Sequence, residues 1–425
     1  MKFQKTLLSL SLSLLAVEAH SAAFQLNETS ASGLGRAFAG DAVIADDASV
    51  VARNPAAMSL FSKKSFSIAG TYIDPGVDIK GVSAPDILGA NFDVNSLDAN
   101  SVVPSAFIPA IYFINPINDK FAYGLAINSN FGLSSEYDND YAAGSIGGKT
   151  ELITINTNLS GSYRINEQFS VGLGLNVVYG EAELVRHAGA TGERLGIPST
   201  TEVTKMEGDD VSFGWNIGAV YEVNDAHRFA LTYRSEVALD LEGEFTGLGS
   251  ATEDGSLSID LPQVAEFSGF HQLTDKFAMH YSVMYTDWSS FDKLEAYTDE
   301  EEPVFIKEEN FESTYRLALG TTYNFSEKLI LRAGVAFDES AAVEDHRSIS
   351  IPDSDRLWYS VGATYQFNAD NSVDLGFAYI DGEKVTVTES DGLLEALPPI
   401  FGNDDWQFES EGNAILLSVQ YNKSF

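Results

Sequence analysis

The chain has 425 residues and a formal net charge of −37, from 25 basic and 62 acidic side chains. Nucleic acid binds Lys- and Arg-rich surfaces, so we expect no nucleic-acid partner for such an acidic chain. The sequence contains no cysteine, which excludes disulfides as a source of stability. With 18 Tyr, 27 Phe and 35 Gly, the composition is typical of a large β-barrel, although a secreted soluble β-protein stays open.

The first 21 residues have the order of a secretory signal peptide. Lys2 and Lys5 give the positive start, residues 7–17 the apolar centre, and Ala19-His20-Ser21 a small-x-small cleavage site. The apolar centre is too short to cross a membrane, and no later stretch has the roughly eighteen uninterrupted apolar residues of a transmembrane helix. We therefore expect an exported protein that crosses no membrane by helices.

Residues 24–60 are rich in small side chains and lack the periodicity of a helix or a strand. Gly33, Gly35 and Gly40 could suggest a phosphate cradle, but no strand precedes them and no G-K-[ST] motif follows. Within Asn54-Pro55-Ala56, proline presets φ and asparagine favours local backbone hydrogen bonds, which predicts a fixed turn. We interpret the stretch as a plug, or hatch, which this turn wedges in place.

Alternation with a period of two dominates the later chain. In residues 169–179, 212–223 and 357–367, apolar side chains alternate with Gly, Ser, Thr and Asn. Strands of a sandwich usually alternate over about five or six residues, whereas a tilted membrane strand needs about ten. The polar face also carries charges, which suit a wet or plugged lumen, with the apolar face towards lipid. These charges are Glu222, Arg234, Arg316, Arg332 and Asp338.

The turns give the number of strands. Short polar turns, each followed by an apolar or aromatic residue, recur six times, and longer acidic connections lie between them. This asymmetry is typical of outer-membrane barrels, with the short turns periplasmic. Six turns join twelve strands, and a first strand near residues 65–73 and a last strand near 406–425 make fourteen. We predict long loops near residues 77–101, 132–148, 187–209, 243–255, 289–312, 340–352 and 382–405.

The predicted fold is an all-β, 14-stranded antiparallel transmembrane β-barrel with an N-terminal hatch inside the lumen. Its expected parts are a signal peptide (1–21), a hatch (22–63) and a barrel (64–425). The even number of strands places both termini in the periplasm. We expect a bacterial outer-membrane protein in contact with lipid and lipopolysaccharide, as a monomer.

Other chemistries find little support in the sequence. A lipase needs a serine, a histidine and an acid held together, but His187 and His271 lack a recognisable serine motif and His280 faces the lumen by parity. An open diffusion porin would be blocked by the plug. The run Asp299-Glu300-Glu301-Glu302 suits a solvated loop tip, with a divalent cation at lipid headgroups as the alternative. We predict no enzyme, no cofactor and no protein-bound metal.

Many segments resemble the FadL-type long-chain fatty acid outer-membrane transporters. Phe24–Glu28, Gly33–Ala37, Ala45–Ala48 and Asn54–Ala56 resemble the hatch of that family, and the likeness extends over the mature chain. The resemblance implies uptake of long-chain fatty acids, caught by outer loops and released sideways through the wall where the third strand kinks inward. By alignment, the kink falls at Asn130, Phe131 and Gly132.

The resemblance also implies a binding pocket. Phe24, Leu184 and Met206 would contact the acyl chain, and Arg186 and Lys307 would hold the carboxylate. Parity counted from Phe169 puts Arg186 on the lumen side. Parity counted from Tyr315 puts Lys307 on the lipid face, so Lys307 can reach the pocket only if a bulge or a loop intervenes. Asp338 matches a family aspartate near the hatch and is a possible contact of the hatch or the pocket.

Two alternatives follow from the same resemblance. A branch of the family admits aromatic or other hydrocarbons and would be expected to lack a carboxylate clamp, so Arg186 and Lys307 argue against it. Loops 187–209 and 243–255 look shorter than in the best-known fatty acid members. The family builds its external capture groove from these loops, so the presence of that groove in this chain stays an open question.

Overall fold

The computed structural model describes residues 23–298, 303–395 and 405–425. The signal peptide and the acidic run 299–302 predicted above therefore lie outside the described residues. Within the described residues, twenty strands form one antiparallel sheet that closes where the first strand pairs with the last. Six staves of the barrel consist of two successive strands, so the wall has fourteen staves, and the predicted 14-stranded barrel is confirmed.

The strands are named β1 to β20 in chain order. Tight turns join them at one rim, at the six places that the sequence predicts, and longer connections join them at the other. The bounds are β1 Ser65–Ser83, β2 Ala106–Pro116, β3 Phe121–Asn128, β4 Gly132–Glu136, β5 Lys149–Arg164, β6 Phe169–His187, β7 Glu202–Asn224, β8 His227–Arg234, β9 Val237–Gly247, β10 Glu253–Leu261, β11 Val264–Gln272, β12 Phe277–Thr286, β13 Lys293–Tyr297, β14 Phe305–Glu308, β15 Thr314–Asn324, β16 Leu329–Asp338, β17 Arg356–Asn368, β18 Asn371–Gly382, β19 Val385–Ser390 and β20 Asp405–Ser424.

The helices are short. The hatch contains α1 (Ala31–Leu34), α2 (Val50–Arg53) and the 3₁₀ helix Pro55–Leu60. The longer connections carry α3 (Gly189–Leu195), α4 (Gly392–Glu395) and further 3₁₀ turns at Asp86–Leu88, Val94–Leu97, Trp288–Ser290 and Glu344–His346. Across the described ranges, no helix combines the length and apolar character needed to cross a membrane.

The two faces of the wall follow the predicted alternation. On β6 and β7, Leu175 and Phe213 are 62% and 73% exposed on the outer face, whereas Ser170 and Asn176 are buried inside. Apolar side chains thus form the outer belt, and small or polar side chains line the lumen, as a membrane barrel requires.

The hatch lies inside this lumen and is tied to separate parts of the wall. The backbone N–H groups of Ala31, Gly40 and Ala48 donate to Gln420 on β20, Ser282 on β12 and Ser67 on β1. Because β1 and β20 are neighbours and β12 lies several strands away from both, these bonds hold the hatch from two sides.

The long loops predicted at 243–255 and 289–312 are wrong in large part. Residues 237–247 and 253–261 form a hairpin, and much of 289–312 is the hairpin of β13 and β14. Here the alternation is inverted: Leu239 and Leu241 are buried, while Asp240 and Glu242 are exposed. Beyond the membrane, the outer face meets water rather than lipid, so acidic residues on it give a strand the composition of a loop. The strands β1, β4, β7 and β19 extend in the same way into predicted loops.

Candidate functional site

The outward extensions of the strands line a narrow apolar cavity of about 50 Å³. Phe24, Leu184 and Met206, the three residues expected to contact an acyl chain, all lie in its wall. The sequence did not predict the rest of the apolar lining, which includes Leu133, Leu152, Leu241, Phe245, Leu257, Ile259, Phe291, Leu294 and Ile351.

Phe24 belongs to an aromatic cluster at one end of the cavity. Its ring centroid lies 4.6 Å from that of Trp288, 5.0 Å from that of Phe291 and 6.2 Å from that of Phe131. The rings meet edge to face, an arrangement that adds about 0.5–1.5 kcal/mol per pair beyond the burial of area. The hatch therefore supplies part of the cavity's own wall.

The N-terminal segment pairs with the predicted kink. The N–H of Leu26 donates to the carbonyl of Asn130 over 2.7 Å, and the N–H of Gly132 donates to the carbonyl of Phe24 over 2.9 Å. Gln25 and Phe131 are thereby bridge partners. On the side away from β5, the carbonyl of Asn130 and the N–H of Gly132 thus bind the hatch instead of a strand.

The wall beside the kink is incomplete. Strand β3 ends at Asn128, β4 begins at Gly132, and both pair with β5. On the other side, β2 pairs with β3 only from Ile111 onwards. Among the described strands, residues 106–110 of β2 pair with β1 alone, which leaves a gap between β2 and β4.

Arg186 is buried at the edge of the cavity, on the lumen side that parity predicts. Its guanidinium donates to the carbonyl of Lys149 over 3.0 Å, to Thr150 Oγ1 over 3.1 Å and to Ser350 Oγ over 2.9 Å. Thr150 is itself part of the cavity wall. Among the described residues, no carboxylate lies within 4.0 Å of this buried cation, so neutral oxygens hold it.

Lys307 points inward, which corrects the lipid-facing position obtained by counting from Tyr315. Residues 309–313 interrupt the strand, and Asn310 has a φ of +46°, so the alternation does not carry through. Lys307 Nζ donates to Ser348 Oγ over 2.5 Å and pairs with Glu389 Oε1 at 2.8 Å. The Ser350 N–H donates to Ser348 Oγ, so one short segment joins the partners of both cations.

Two carboxylates accompany the cations, and the sequence analysis missed both. Glu389 pairs with Lys307, and Glu309 is fully buried with one oxygen 3.7 Å from Lys307 Nζ. Burial raises the pKa of Glu309 to about 7. Neither Arg186 nor Lys307 lies in the cavity wall itself. The site is therefore an apolar chamber with a cluster of two cations and two acids at its edge, of which Arg186 and Glu309 are buried and Lys307 and Glu389 are partly buried.

The Asn54-Pro55-Ala56 turn lies against the wall. The Asn54 side chain accepts from the Ala56 N–H over 2.9 Å and donates to the carbonyl of Ala42 over 2.8 Å. A Cβ at Gly218 would overlap the Asn54 amide oxygen, so the wall has no room for a larger side chain at this contact.

Buried charges also join the hatch to the wall. Asp338 is 3.7 Å from Arg316, and Arg316 donates to the carbonyl of Ala37 over 3.2 Å, so the aspartate reaches the hatch through Arg316. A stronger link was not predicted: Asp46 pairs with Arg36 of the hatch at 3.1 Å and with Arg332 of the wall at 2.9 Å. Its signals in the sequence were the adjacent acids Asp46 and Asp47 and the position of Arg332 on the lumen face.

The described residues contain no group of three His, Asp or Glu side chains placed to hold a metal ion. His280 is buried in the lumen, as predicted, where it stacks on Phe270 and lies 2.8 Å from Thr322 Oγ1.

An apolar outer belt, a plug inside the lumen, an internal apolar cavity and a gap in the wall together define a plugged outer-membrane transport barrel. The family described as outer membrane protein transport protein (OMPP1/FadL/TodX) matches residues 12–425. The chain belongs to this family, whose members are transporters and not enzymes.

Similar proteins agree with this assignment. The chain is 42% identical to a long-chain fatty acid transport protein of Escherichia coli O6:H1, over all of this chain and 99% of that protein. It is 42% identical to outer membrane protein P1 of Haemophilus influenzae, over the full length of both. The crystal structure of a Pseudomonas aeruginosa FadL homologue has the same fold, with a TM-score of 0.83 at 23% identity, over 95% of this chain and all of that one.

Proposed function

We propose that the protein takes up long-chain fatty acids across the bacterial outer membrane. The single observation that carries this proposal is the apolar cavity that Phe24, Leu184 and Met206 line, with Arg186 and Lys307 at its edge. The full-length similarity to long-chain fatty acid transport proteins supports it.

The binding chemistry separates the two parts of the ligand. Each methylene of the acyl chain that leaves water contributes roughly 0.8 kcal/mol, so the chamber supplies most of the affinity. Arg186 and Lys307 bind the carboxylate, and a hydrogen bond to a charged group is worth roughly 1.5–3 kcal/mol. A hydrocarbon without a head group gains only the free energy of burying its apolar surface.

The proposed route is lateral. The N-terminal segment forms part of the cavity wall through Phe24 and pairs with Asn130, Phe131 and Gly132 beside the gap between β2 and β4. A movement of this segment opens the cavity towards the gap and releases the ligand into the membrane. Asn54, Pro55 and Ala56 hold the remaining hatch while Asp338 positions Arg316 against it.

The proposal includes the arrangement of the chain in the cell envelope. A signal peptide (1–21) directs export, and the hatch (22–63) and the barrel (64–425) form the mature protein. Both termini face the periplasm, because the number of staves is even and the tight turns lie on that side. The barrel is a monomer in contact with outer-membrane lipid and lipopolysaccharide.

Binding of labelled oleate to the detergent-purified barrel tests the proposal, with toluene as competitor. We expect saturable binding that toluene barely displaces, and a loss of roughly tenfold to a hundredfold in affinity for Arg186→Ala and Lys307→Ala, from the energy of a charged hydrogen bond. Arg194→Ala and Lys384→Ala are matched controls, since both side chains are exposed at the outer rim. Equal displacement by toluene with both site variants unaffected would assign the chain to hydrocarbon uptake instead.

A further inference from the structure

We propose that Glu309 takes up a proton when the site binds a fatty carboxylate, so that the ligand enters as an anion together with one proton. This inference rests on the proposed function and concerns the charge state of that same site. Glu309 would then be a specificity-determining residue, because it sets how much negative charge the cluster accepts.

The first support is the environment of Glu309. Its side chain is fully buried, and no described residue donates a hydrogen bond to either carboxylate oxygen. Lys307 Nζ is the nearest cation, at 3.7 Å from Oε1. A buried carboxylate without a donor is costly in its charged form, whereas the protonated form is not.

The second support is the division of partners between the two acids. Glu389 pairs with Lys307 at 2.8 Å and accepts from Ser348 Oγ and from the Ile349 N–H, both at 3.2 Å. Glu309 has no equivalent donors, so a proton on Glu309 removes a buried charge that no hydrogen bond compensates.

The third support is the charge count. Arg186 on β6 and Lys307 on β14 carry two positive charges, which Glu309 and Glu389 of β19 balance. A ligand carboxylate would leave one uncompensated negative charge in the cluster, and one proton restores neutrality. The other titratable groups nearby are Tyr137, which faces Arg186 and Glu389, and His346, which contacts the neighbouring Asn310. The pKa of Glu309, which burial raises to about 7, makes protonation possible near neutral pH.

A permanently charged ligand separates this proposal from the binding of a neutral fatty acid, which would also weaken as the pH rises. Hexadecane sulfonate, used below its micellar concentration, keeps one negative charge between pH 6 and 9. For the wild type we expect an affinity that is constant below the pKa of Glu309 and falls by up to about tenfold per pH unit above it, the slope for one proton. Glu309→Gln should bind with an affinity independent of pH and exceed the wild type at pH 9.

Glu308→Gln is the matched control, because its exposed side chain removes the same charge one residue away on the outer face of β14. It should retain the pH dependence of the wild type. A flat wild-type profile, or a slope that survives in Glu309→Gln, would overturn the proposal. If Glu309→Gln does not fold, calorimetry of the wild type at pH 8 in two buffers of different ionisation enthalpy decides it: uptake of about one proton per ligand supports it and no uptake refutes it. Absence of saturable oleate binding to the wild type at pH 6 would instead refute the proposed function.

Discussion

Substitution of Asp46 by asparagine tests how strongly buried charge holds the hatch in the barrel. Asp46 lies between Arg36 of the hatch, at 3.1 Å, and Arg332 of the wall, at 2.9 Å. The substitution keeps the shape of the side chain and removes its charge. Of the hatch–wall contacts described above, this is the only one in which a single carboxylate joins two buried arginines.

The size of the effect follows from burial and from the partners that remain. Arg36 and Arg332 have side chains only 2% and 4% exposed, whereas Asp46 is 29% exposed. Arg36 keeps Asp41 at 2.8 Å and Arg332 keeps Asp374 at 3.2 Å, so neither cation is left alone. We therefore expect the free energy of hatch docking to fall by about 2–3 kcal/mol, a value between those for exposed and for fully buried ion pairs. This corresponds to a roughly 30- to 160-fold increase in the population with an undocked hatch.

Small-solute conductance in planar bilayers measures the undocked hatch. Asp46→Asn should raise conductance, and the double variant with Arg332→Gln should be less than additive, because the two residues share one interaction. Asp47→Asn is the matched control: the hydrogen-bond partners of Asp47 among the described residues, Ser32 and Ser49, belong to the hatch, and the substitution should leave conductance near the wild-type value. Conductance of Asp46→Asn equal to that of the wild type would refute the role of this ion pair.

Three further predictions concern the cavity and the hatch. Leu184→Ala should weaken oleate binding about tenfold to thirtyfold, from the loss of about two buried methylene contacts, whereas Leu173→Ala on the lipid face of the same strand should not. Replacement of Asn54-Pro55-Ala56 by three alanines removes a cap worth about 1 kcal/mol, so small-solute conductance should rise; unchanged conductance would contradict the wedge. Burial raises the pKa of Glu28 in the hatch from 4.5 to about 7, so the docked hatch should lose stability as the pH rises from 4.5 to 7 and no further above that. Small-solute conductance should rise over the same pH range, and Glu28→Gln should abolish this dependence.

The membrane-spanning part of the fold could be predicted because one physical rule governs it. Inside the bilayer, the outer face of each strand meets lipid and the inner face meets the lumen or the hatch. Leu175 and Asn176 therefore identify their faces by polarity alone. The same rule placed Arg186 in the lumen.

The rule fails above the membrane, where the candidate site lies. Leu241 and Asp240 have the polarity of a soluble strand, since water now surrounds the outer face and the cavity fills the inner one. An inverted alternation beside the predicted loop 243–255 is the signal that could have identified Leu257 and Ile259 as lining residues. The orientation of Lys307 could not be predicted by counting back from β15, because the irregular residues 309–313 interrupt the alternation of inward and outward side chains.

Contacts between distant parts of the chain were also beyond the sequence. Asp46 and Arg332 are 286 residues apart, and Glu309 and Glu389 meet only because the outer strands converge on one chamber. A carboxylate in an acidic chain carries no sign of burial. The resemblance supplied the two cations of the proposed clamp, but not the acids that balance them.

The pairing between the hatch and the kink offers a direct test of the lateral route. Gln25 and Phe131 are antiparallel partners between the bonds Leu26 N–H to Asn130 and Gly132 N–H to Phe24, which makes them a non-hydrogen-bonded pair. Such pairs have Cα atoms about 4.5 Å apart, within the range that a disulfide spans.

The chain contains no cysteine, so the double variant Gln25→Cys/Phe131→Cys introduces the only thiols. Oxidation would fix the N-terminal segment to the kink and keep Phe24 in the cavity wall. We expect oleate binding to be retained and uptake by cells to be lost, with uptake restored by a reductant, because the disulfide blocks the movement and not the cavity. The single-cysteine variants are the controls and should transport with or without the reductant. Uptake at the wild-type rate with the disulfide fully formed would show that the ligand leaves without movement of this segment, and the lateral route through it would have to be abandoned.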